Sequence, residues 1–67
     1  MHERIKEFRL KAGLTQHQLA ERMGVLQTTV SMWETGQGKP RTDKLPQLAR
    51  ILGCTIDELY GEEEKEV

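Results

Sequence analysis

Two helical patterns meet in this sequence across a joint of two residues, and no other feature restricts the fold as much. Leu19, Ala20 and Met23 recur at the spacing of one helix face. Gly24 follows as a stop, and only Val25 and Leu26 separate it from a stretch in which Val30 and Trp33 lie one turn apart. A joint this short cannot act as a flexible loop, so it fixes the angle between two helices. Ala20 suits a close crossing, because a larger side chain would push the helices apart. Gly24 allows a positive φ in the turn without a Cβ clash. Val30 plugs the junction from the second helix, and Leu19, Met23, Val25 and Trp33 fill the other inward positions.

Three further helical segments surround this pair. The first spans about Glu3–Ala12, with Ile5, Phe8 and Ala12 inward and Gly13 as its stop. The helix of Leu19 and Ala20 starts at Thr15, where Thr15 and Gln18 spell a capping box. The helix of Val30 and Trp33 runs from about Gln27 to Glu34. It leaves Gln27, Thr28, Ser31 and Met32 outward, and the stretch from Thr35 to Pro40 follows as a loop. Leu45, Leu48, Ala49 and Leu52 define a fourth helix. Pro46 is tolerated only in a first turn, so this helix is expected to begin near Asp43 as N-cap. A short last helix has Thr55 and Glu58 as capping box, Ile56 and Leu59 inward, and Gly61 as its end. The expected fold class is all-α: one compact five-helix domain over residues 1–61, then an acidic, disordered tail over 62–67.

Composition limits the function. The chain has 67 residues and one cysteine, Cys54, so helix packing and no internal disulfide must hold it together. Cys54 follows Gly53 and reads as a small buried hydrophobe. His2 and His17 stand alone, without a metal-ligand cluster, and neither a metal nor a cofactor is expected. No nucleophilic catalytic set is assembled, so the chain is not expected to be an enzyme. Neither a signal-peptide pattern nor an apolar run of membrane-spanning length is present, and a cytoplasmic location with no membrane partner is expected. The net charge of −1 hides an asymmetry. Residues 1–61 hold nine Lys/Arg against seven Asp/Glu, a net of +2, while Glu62-Glu63-Glu64-Lys65-Glu66 carries four acids and one base, a net of −3. Charge alone therefore leaves a nucleic-acid partner open.

Motifs along nearly the whole chain decide more. They are Ile5-Lys6-Glu7-Phe8-Arg9, Leu14-Thr15-Gln16, Leu19-Ala20-Glu21, Met23-Gly24-Val25, Val30-Ser31-Met32-Trp33-Glu34-Thr35-Gly36, Lys39-Pro40, Leu52-Gly53 and Asp57-Glu58-Leu59. With these the sequence resembles the Cro/CI-type helix-turn-helix domains of phage repressors and bacterial regulators. The resemblance implies a lambda-repressor-like bundle whose third helix enters the DNA major groove, and a transcriptional regulator, most simply a repressor. One departure is Leu26, at a position where the family commonly has the Ser or Thr that caps the recognition helix and reaches phosphate.

Residue roles follow from that resemblance. Gln27 and Thr28 fall where the family reads bases, and Gln can pair bidentately with adenine. Ser31 shares the exposed face. Met32 either meets a thymine methyl or fringes the core. Thr15 and Gln16 open the second helix, whose N–H groups suit a phosphate, and Thr15 also caps. Gln37, Lys39, Arg41 and Lys44 form either a second phosphate clamp or a solvated charge run, and the loop's place beside the groove favours the clamp. Arg9 and Glu34 match an ion pair that joins the first helix to the third, with Arg9 also in reach of phosphate. Trp33 reads as core and His17 as surface.

A single recognition helix spans too few base pairs for a useful site, so a homodimer on a palindromic operator is expected. Ile51, Ile56 and Tyr60 are the candidate contacts, and Tyr60 serves equally as a cover for the core edge. The rival reading is an antitoxin-like or anti-repressor module whose main partner is a protein, with the acidic tail docking on a basic surface. The polar character of Gln27, Thr28 and Ser31 opposes it.

Overall fold

The computed structural model describes residues 1–61, so the acidic segment 62–67 lies outside the described residues. Among the described residues there are five α-helices, a 3-10 turn and no strand. They are α1 (His2–Lys11), α2 (Gln16–Met23), α3 (Gln27–Thr35), the turn Thr42–Lys44, α4 (Leu45–Leu52) and α5 (Ile56–Tyr60). α3 packs on both α1 and α2, while α5 closes against α1 and α4.

The start of α2 is set by its own side chains. Thr15 Oγ1 accepts from Gln18 N at 3.0 Å, and Gln18 Oε1 accepts from Thr15 N at 2.9 Å. The same reciprocal pair, Thr55 with Glu58, starts α5 at 3.0 and 2.8 Å. At its far end α2 turns through Gly24, at φ 71° and ψ 32°. Val25 N donates to the Ala20 carbonyl at 3.0 Å and Gly24 N to the Glu21 carbonyl at 3.3 Å. This double bond pattern satisfies two orphan carbonyls and points the chain into α3 within two residues.

The core is continuous. Ile5, Leu19, Val30, Leu48 and Leu59 are wholly buried, and Ala20, Met23, Trp33, Leu45, Ala49 and Leu52 join them. Ala20 is 2% exposed beside Val30 at 0%, as the close crossing of α2 and α3 requires. Phe8, Val25, Ile51, Cys54, Ile56 and Tyr60 are half-buried against this core.

Three local expectations are corrected. Ala12 is exposed, because α1 ends at Lys11 and the chain turns through Gly13 to bury Leu14 in its place. Asp43 does not cap α4; it sits within the turn Thr42–Lys44, and Lys44 precedes the helix with no side-chain cap. A capping Asp43 would draw on the N–H of residue 45 or 46, and Pro46 has none. Cys54 is half-buried where a fully buried residue was expected. Burial, followed by the nearby Glu58 carboxylate, pushes its thiol pKa up from the ordinary value.

Candidate nucleic-acid interface

α3 presents two chemically different sides. Val30, Trp33 and Glu34 are buried, whereas Gln27, Thr28 and Met32 are exposed and Thr29 and Ser31 are half-buried. Gln27 and Thr28 lie in the first turn, so their polar groups stand at the tip of the helix. Ser31 and Met32 follow one turn later.

Glu34 holds this helix in place. Its side chain is 3% exposed and that of Arg9 is 9%. Arg9 Nε donates to Glu34 Oε2 at 2.5 Å, and Arg9 Nη2 donates to Oε1 at 3.2 Å. Arg9 Nη1 donates to the Leu14 carbonyl at 2.8 Å. Gln16 Nε2 donates to Glu34 Oε1 at 3.0 Å. One carboxylate therefore ties the end of α3 to α1 and to the start of α2. This bidentate geometry suits the guanidinium fork, and every buried side-chain polar atom among the described residues has a partner.

The arrangement alters two expectations. Arg9 spends its guanidinium on the fold, and at 9% exposure it offers little to a phosphate. Gln16 has a structural partner 18 positions along the chain that local sequence does not reveal. One of its two side-chain N–H bonds remains for an outside acceptor. Beside it, the capping box of Thr15 leaves the backbone N–H groups of Gln16 and His17 without intrahelical partners, which suits an anion.

The chain leaves α3 through Gly36, and Gly38 N donates back to the Met32 carbonyl at 3.2 Å. Pro40 is buried and anchors the loop. Gln37, Lys39 and Arg41 are exposed and Lys44 is half-buried. Among the described residues, no carboxylate lies within ion-pair distance of Lys39, Arg41 or Lys44. A cleft of about 60 Å³ beside this loop is lined by residues that include His2, Trp33, Lys39 and Pro40.

Ile51, Ile56 and Tyr60 are half-buried at the α4–α5 end of the body. The burial of Met1, Leu14 and Pro40 and the exposure of Leu26 went unread in the sequence. Among the described residues, no group of three His, Cys, Asp or Glu is placed to hold a metal ion, and no helix is long and apolar enough to cross a membrane.

The sequence is similar to those of known proteins. The Helix-turn-helix family profile matches residues 5–59. The HTH-type transcriptional activator BcrR of Enterococcus faecalis is 40% identical over 63 residues, covering 94% of this chain and 31% of its own length. An HTH-type transcriptional regulator of Archaeoglobus fulgidus is 36% identical over 67 residues, 100% of this chain and 94% of the relative. The HTH-type transcriptional regulator ImmR of Bacillus subtilis is 36% identical over 62 residues, 92% of this chain and 49% of its own. The chain thus spans nearly all of the archaeal relative, but about half of ImmR and a third of BcrR. It belongs to the helix-turn-helix family of transcriptional regulators, of the Cro/CI type.

Proposed function

We propose that this protein reads a specific double-stranded DNA operator with α3 in the major groove and represses by occupying that site. The observation that carries this reading is the exposed, hydrogen-bonding tip of α3 on a helix held rigid by Arg9, Glu34 and Gln16. A reading helix must be held close to its productive geometry, and buried polar networks do that. In this account Gln27, Thr28, Ser31 and Met32 contact base edges. Thr15 and Gln16 hold one phosphate run, while Gln37, Lys39, Arg41 and Lys44 hold the other. Repression by occupancy requires only that the body hold its site.

Two copies related by a two-fold axis would read half-sites one helical turn apart. Ile51, Ile56 and Tyr60 are the proposed contact, because they are apolar side chains of α4 and α5 that the core only half buries. Filter binding to random duplex across a salt series tests the class of function. The logarithm of the affinity should fall linearly with the logarithm of salt, and enrichment from that pool should return an imperfect palindrome. Salt-independent binding, or none, would contradict the proposal.

A further inference from the structure

Among the described residues, three α-helices begin from a residue in the same extended conformation. Thr15 has φ −80° and ψ 166°, Leu26 has φ −77° and ψ 152°, and Thr55 has φ −91° and ψ 163°. Thr15 and Thr55 each complete a capping box, whereas Leu26 makes no side-chain cap. Leucine cannot accept a hydrogen bond, although the backbone there is set for a residue that would. Packing does not explain the choice. Leu26 is 72% exposed, against 58% for Leu10 and 40% for Met32. Its carbonyl accepts from Thr29 N at 3.0 Å and Val30 N at 3.3 Å, bonds that any residue could make. A single exposed leucine ordinarily requires no explanation. α1, α4 and the turn Thr42–Lys44 also start without a side-chain cap, but among the described residues only α3 has an exposed large hydrophobic side chain at its start.

Its place indicates what covers it. Leu26 precedes Gln27 at the tip of the helix proposed to enter the groove, so its side chain continues the surface that meets DNA. The apolar group that the major groove displays is the thymine 5-methyl. We infer that Leu26 is a specificity-determining residue that packs on the methyl of a thymine beside the base pair read by Gln27. The inference rests on the DNA-binding reading given above. It assigns to α3 an apolar component of recognition, in which the side chain that forgoes capping its own helix is covered by the operator.

Replacing a methyl on the DNA tests this directly. A site is enriched from random duplex, and each thymine of the half-site is exchanged singly for deoxyuridine, which pairs identically but lacks the methyl. The parent, Leu26→Ala, Leu26→Ser and Met32→Ala proteins are then titrated. At one thymine beside the pair read by Gln27, the parent should weaken about fourfold on losing the methyl, the worth of one buried methyl group. Both Leu26 variants should bind thymine and deoxyuridine alike there, and Met32→Ala should keep the difference. Leu26→Ser supplies a capping side chain, so its thermal midpoint should not fall below the parent's, and lost discrimination cannot then be lost folding. A half-site without thymine at that place, a parent indifferent to the methyl, or a Leu26→Ser protein that still discriminates would overturn the inference and leave DNA binding intact. A parent that binds no duplex would overturn the DNA-binding reading itself, and this inference with it.

Discussion

Arg9→Met and Glu34→Leu, made singly and together, probe the joint that aims α3. The single Arg9 change leaves a carboxylate whose side chain is 3% exposed with only the Gln16 amide as donor. The single Glu34 change leaves the Arg9 guanidinium with only the Leu14 carbonyl. Breaking a buried pair from one side costs about 3–5 kcal/mol, because the surviving charge stays desolvated. The double change removes both charges and leaves the Leu14 carbonyl short of a partner, for about 1–3 kcal/mol. Gln16 is half-buried and can turn to water. The singles should therefore sum to roughly 6–10 kcal/mol and the double cost roughly 1–3 kcal/mol, a coupling of at least ~3 kcal/mol. A chain of 67 residues has a total stability of roughly 3–10 kcal/mol, so each single stands near unfolding. Urea unfolding in sucrose, which favours the compact state, keeps all four proteins measurable. Additivity within about 0.5 kcal/mol would refute the buried pair as the element that joins α1 to α3.

Ala20→Leu should overpack the α2–α3 crossing, where Ala20 is 2% exposed, and cost about 1–3 kcal/mol; an unchanged thermal melt would contradict close packing there. The raised pKa of Cys54 keeps its thiol protonated to higher pH than a free cysteine, so thiol reagents should label the folded protein more slowly near neutral pH. That gap should narrow as pH rises through the folded value, and equal rates throughout would contradict the burial of the thiol. Tyr60→Ala should weaken self-association in sedimentation at rising concentration, and an unchanged profile would remove Tyr60 from the dimer contact.

What could be read in the sequence was what neighbours decide. Thr15 with Gln18 and Thr55 with Glu58 cap at a separation of three, so both helix starts were visible in the order of residues. Leu45, Leu48, Ala49 and Leu52 repeat at helical spacing, and all four are buried. The hidden features depend on the chain returning to itself. Gln16 meets Glu34 across 18 positions, and Arg9 meets it across 25, a pair suggested only by family resemblance. Leu14 and Pro40 are buried from loops that carry no period to betray them. Asp43 was legible in principle, since the missing N–H of Pro46 already denies it one of its two capping donors. At the proposed interface, the polar tip of α3 followed from periodicity, whereas the second use of Gln16 did not.

The division between reading and clamping is the central claim, and paired titrations of Gln27→Ala and Lys39→Ala test it most directly. Both variants and the parent are titrated against the enriched site, against copies altered at single base pairs, and across a salt series. Gln27→Ala should lose about 1–3 kcal/mol of discrimination at one base position and keep the parent's salt slope. Lys39→Ala should weaken binding to every sequence alike and make the slope shallower by about one. If the two variants lose the same discrimination and the same slope, α3 is not the reading element and the account fails.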